Sequence, residues 1–74
     1  MDRKTLLRIF KDMRGTDKEL DVIIAGDSKP VEFRNVVEAD ALPGKGAIKV
    51  TTKQNVIWLD TTHVAVAYQV RSDL

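Results

Sequence analysis

One histidine, His63, stands three residues after Asp60 in a chain of 74 residues that contains no cysteine. A zinc site needs about four converging donors, usually Cys and His, and neither count nor spacing provides them here. Ser28, Asp60 and His63 have the residue types of a hydrolytic triad, but type without mutual geometry is no catalytic site. Gly44-Lys45-Gly46 has the look of a phosphate loop. The Walker pattern, however, needs an earlier spaced glycine and a Ser or Thr after the lysine at a helix start, and here Ala47 follows. It reads as a turn. No catalytic residue, metal ligand, cofactor or small-molecule substrate is therefore expected, and the chain is read as a non-enzyme.

Charge carries more information. Twelve Lys and Arg against eleven Asp and Glu leave a net charge of +1, yet residues 1–14 hold five basic and two acidic side chains, so that segment is +3 and the remainder −2. Lys4, Arg8 and Lys11 recur at helical spacing on one face, with Arg3 and Arg14 at its edge. Lys4, Arg8, Lys11 and Arg14 form the candidate nucleic-acid face, because a few such cations are enough to begin counterion release from a phosphate backbone. The plainer reading is a surface helix kept soluble by charge. Trp58 and Tyr68 could stack on bases, or be buried in the core or an interface.

These side chains need elements to hold them. At 43% hydrophobic and 31% charged residues, the composition is that of a folded chain, and the length suits one domain, residues 1–74. Leu6, Ile9, Phe10 and Met13 make an apolar stripe and predict a helix over 3–14, capped by Asp2 and ended by Gly15. From residue 20 the period becomes strand-like: 20–25, a strand from 31 that bends near Asn35, 47–52, 56–59 and 64–70. Pro43-Gly44 predicts a type II turn. One N-terminal helix and five short strands over 20–70 predict a mainly β fold, a small, strongly bent antiparallel barrel of SH3 or Sm type. The first apolar stretch is broken by Arg8 and Lys11, so no secretory or membrane-spanning segment is read, and a cytoplasmic chain without a membrane partner is expected.

The order of helix and five bent strands, with the run Val56-Ile57-Trp58-Leu59-Asp60-Thr61-Thr62-His63-Val64-Ala65-Val66, resembles the Sm-like family, in particular its bacterial Hfq type. The resemblance implies a homo-oligomeric ring of six or seven copies binding single-stranded RNA, joined through the last two strands. Val56, Trp58, Val64, Val66 and Tyr68 are the expected interface residues. The sequence departs from the family in three places. Asn35 stands at the bend where a glycine is usual, the loop after Asp40 is longer, and Asp60 takes the place of a basic residue that would meet phosphate. Two functions follow: an RNA-binding ring, or an assembly subunit of the same fold that never meets nucleic acid.

Overall fold

The computed structural model describes residues 1–71. Helix α1 spans Arg3–Asp12, with Asp2 as N-cap accepting from the Thr5 backbone N–H at 3.0 Å and the Thr5 hydroxyl at 2.9 Å. Met13 closes it and Gly15 turns away at φ 72°, so the helix stops two residues short of the expected Arg14. The apolar stripe faces inward as the spacing requires: Leu6, Phe10 and Met13 are buried, and Leu7 and Ile9 pack partly against them. Phe10 lies 4.7 Å from Phe33, ring centroid to centroid, tilted by 60°. Arg3 Nη1 donates to the carbonyls of Leu42 and Gly44 at 3.0 and 2.7 Å, while the Gly15 N–H donates to Val36 O at 3.2 Å. The helix is thus tied near its start to the chain at 42–44 and just past its end to Val36.

Six strands follow: β1 (Glu19–Ile24), β2 (Val31–Arg34), β3 (Val36–Ala41), β4 (Ala47–Thr52), β5 (Val56–Asp60) and β6 (Val64–Val70). The expected second strand is divided at Asn35, which adopts φ 57°, and a register shift follows between Val36 and Glu38. The bend read from adjacent Val36 and Val37 is therefore present, and it separates two antiparallel three-stranded sheets, ordered β2-β1-β6 and β3-β4-β5. The mainly β class with one helix holds, whereas the two sheets do not close on one another as a five-stranded barrel. Among the described residues no helix is long and apolar enough to cross a membrane.

Between Asp60 and Val64 the chain makes a short 3-10 turn, η1 (Thr61–His63), where a plain connection was expected. Gly44 takes φ 119°, as a turn after Pro43 demands. Gly46 is needed for a different reason: a Cβ there would lie 2.8 Å from Thr62 Cγ2 and 2.9 Å from Asp60 Oδ1. The core gathers Leu20, Val22, Phe33 and Val64 from one sheet with Val36, Ala39, Ile48, Val50 and Leu59 from the other, under the helix stripe.

Candidate functional site: a basic helix face and two open strand edges

Because the stripe is fixed by burial, the opposite face of α1 is fixed too. Lys4, Arg8 and Lys11 are exposed, and among the described residues their side chains make no hydrogen bond or ion pair, so all three charges face solvent. Arg14 is placed differently. Its Nε donates to Lys11 O at 3.0 Å and its Nη1 to Glu38 Oε1 at 3.2 Å, so its charge is already partnered. The Ala39 N–H that Glu38 accepts, and the Arg14 charge, hold the Glu38 carboxyl below its ordinary range. Of the four candidates, Arg14 alone carries an ion pair among the described residues, and that pair is half exposed.

The sheet orders leave β2, β6, β3 and β5 each with one unpaired side, and the exposed aromatic side chains lie on β5 and β6. Alternation explains what they display. In β5, Leu59 points inward and Ile57 packs partly against the core, while Val56 and Trp58 face out, Trp58 at 66% exposure. In β6, Val66, Tyr68 and Val70 are 47%, 43% and 44% exposed. Val64, expected at an interface, is instead buried at the start of β6, where the chain leaves η1 and enters the core. Two edge strands thus carry large apolar side chains that stay exposed among the described residues.

Asp60 has a local task. Its Oδ1 accepts from Thr62 N at 2.9 Å and Thr62 Oγ1 at 2.6 Å, capping η1, and these bonds lower its pKa. His63 Nε2 lies 3.5 Å from Asp60 Oδ2 at the surface, and no hydrogen bond joins either residue to Ser28. An open groove of about 550 Å³ runs beside this turn, lined by Leu42, Lys45, Ala47, Trp58, Asp60 and Thr62 among others. The lysine that suggested a phosphate loop thus sits near an exposed indole at a turn leading into a strand.

One cluster has no counterpart in the sequence reading. Cross-strand pairing sets Asp21 opposite Glu32 on β2 and opposite Tyr68 on β6, with Glu19 two residues away on the same face. Carboxylate oxygens of Glu19, Asp21 and Glu32 lie within 4.8 Å of one another. Arg34 ion-pairs with Glu19 and holds its carboxyl low. Burial, then Glu19, push Asp21 up, and burial with the Asp21 charge pushes the Tyr68 phenol up. The i, i+2 spacing of Glu19 and Asp21 in a strand was the available signal, but the third member required the register of the β1–β2 hairpin. No family model, curated protein or solved structure matches this chain.

Proposed function

We propose that the chain is a non-enzymatic binding module that assembles with copies of itself, β5 of one subunit pairing with β6 of the next, and presents its repeated basic helix face to single-stranded RNA. The observation that carries the proposal is the pair of open edges, each bearing exposed large apolar side chains: Val56 and Trp58 on one, Val66, Tyr68 and Val70 on the other. An unpaired edge of this kind is a template for another strand. Because the two edges differ, the contact is head-to-tail, and it closes into a ring or propagates as a filament. Continuing the strand order across copies is the plan that the Sm-like resemblance implies, with the bend at Asn35 supplying the curvature of a small barrel. Each copy adds Lys4, Arg8 and Lys11, so weak single-patch contacts gain by multivalency.

A second reading has its own support. Asp60 puts a carboxylate where the family places a cation, and its capping bonds hold it ionised. An assembly subunit without nucleic acid fits that feature better.

Sedimentation of the parent and of Trp58→Glu tests the assembly. An oligomer that Trp58→Glu dissociates is expected, and a parent that stays monomeric at tens of micromolar overturns it. Titration of labelled uridine-rich and adenine-rich oligonucleotides then separates the readings. Binding at low salt that weakens in the triple variant Lys4→Ala, Arg8→Ala, Lys11→Ala supports RNA, while no binding by an intact oligomer selects the assembly subunit.

A further inference from the structure

We propose that Glu19, Asp21 and Glu32 form a binding site for a hard divalent cation of calcium size, on the outer face of the β2-β1-β6 sheet. The inference is independent of the assembly and RNA reading. Three carboxylates alone prove little, since acidic groups gather on surfaces without a ligand. The decisive observation concerns Asp21. Its residue is only 6% exposed, and its Oδ1 is buried with no hydrogen-bond partner. A carboxylate oxygen removed from water without a partner is costly. The orphan belongs to the group that, with its two acidic neighbours, places an oxygen within 4.8 Å of each.

The geometry favours one class of ligand. The three oxygens lie close enough for one ion to bridge them, and magnesium, which demands near-ideal octahedral geometry and gives up its waters reluctantly, suits such a strand-borne set less well than calcium. Calcium also accepts six to eight oxygens in irregular arrangements, so waters can complete a shell begun by three side chains from two strands. Soft metals are disfavoured by an all-oxygen donor set. Arg34 takes up one of the three carboxylates, Glu19, and does not serve Asp21 Oδ1. Paired backbone on either side of Asp21 holds in place the strands that carry the donors, because β1 is the central strand of its sheet. The competing solution is a proton shared between Asp21 and Glu19, which also relieves like charge.

Calorimetric titration of calcium chloride, and separately of magnesium chloride, into the full chain in chelator-stripped neutral buffer separates the two. Saturable calcium binding at one site per chain is expected, with a rise of several degrees in the unfolding midpoint that magnesium does not match. Asp21→Asn abolishes both signals. Glu32→Gln, at an exposed position that folding does not need, weakens binding on the order of tenfold. Terbium supplies a positional readout: emission excited through Tyr68, opposite Asp21, is displaced by calcium and lost in Asp21→Asn. Absence of saturable calcium binding by the parent overturns the proposal in favour of the shared proton. Calcium binding or terbium emission unchanged in both variants places the ion elsewhere and overturns it equally.

Discussion

The β3-β4-β5 sheet and the β2-β1-β6 sheet meet at Asn35 but treat buried polarity in opposite ways. In the first, the helix lies over β3 and β4. The inward positions Ile48, Val50 and Leu59 are apolar, and the one polar exception is fully used. Thr52 Oγ1 donates to Asn55 O and accepts from the N–H groups of Gln54 and Asn55, at 2.8 to 3.2 Å. In the second sheet, Asp21 is buried on the outer face with one oxygen unsatisfied. A half whose buried side-chain polar groups are paired is specified by its own sequence, while a half with one orphaned carboxylate oxygen is open to a proton or an ion.

The largest effect is expected where the halves share one support. Phe10 is wholly buried under the β3-β4-β5 side, yet its ring meets Phe33 from β2. Phe10→Ala should cost about 3–5 kcal/mol by denaturant unfolding, since it removes a fully buried ring and leaves a cavity against both sheets. Lys11→Ala, one residue on and facing solvent, should leave the midpoint unmoved. The reverse pattern would mean that the two faces of α1 had been exchanged.

Next comes a change confined to the well-satisfied half. Gly46→Ala introduces a Cβ against Thr62 Cγ2 and Asp60 Oδ1, so η1 must shift and the Thr61 N–H bond to Gly46 O, 2.8 Å long, is stretched. Overpacking of this kind costs about 1–3 kcal/mol. Chemical-shift changes should concentrate at residues 60–63 and spare β1 and β2. Changes spread over both sheets would show that the halves are not separable.

The helix, its cap and its buried face were legible because amphipathic spacing and the Asp2 and Gly15 signals are local, and 47–52 and 64–70 coincide with β4 and β6. The division at Asn35 was legible only as a bend, since alternation breaks at Val36–Val37 without disclosing a left-handed residue. What escaped is tertiary. That Arg14 turns to Glu38 across 24 residues, that Val64 enters the core and that Glu32 joins Glu19 and Asp21 all depend on register and chain path. Periodicity assigns a side chain to a face and says nothing about what stands opposite.

A smaller effect, of opposite sign, is expected in the other sheet. Asp21 has its pKa raised by burial and by Glu19, so its contribution to stability is fullest below the ordinary value of 3.8 and declines as pH rises from there through the raised folded value. Asp2, Glu38 and Asp60 run the other way. Their pKa values are lowered, so their contributions are present at neutral pH and lost as pH falls through the folded values. In chelator-containing buffer, Asp21→Asn should therefore raise the unfolding midpoint at neutral pH, and the gain should vanish in acid. Midpoints compared across a pH series check this, and a variant less stable than the parent at neutral pH would show that the carboxylate has a partner.

The smallest effect belongs to the joint itself. Asn35 holds φ 57°, a conformation that costs most L-residues about 1–2 kcal/mol and costs asparagine less. Its side chain makes no hydrogen bond, and its carbonyl accepts from Lys53 N at 3.1 Å, a bond that any residue would keep. Substitution at this position therefore reads backbone preference with little else mixed in. Asn35→Gly removes the steric cost but adds unfolded-state entropy, and the two offset to within about 0.5 kcal/mol. Asn35→Val restores the full cost and adds β-branching, so it should lose about 1–2 kcal/mol. Equilibrium unfolding of the pair gives the answer as a difference. If valine were tolerated as well as glycine, the bend would be imposed by the packing of the two sheets from either side, and Asn35 would follow the turn without helping to set it.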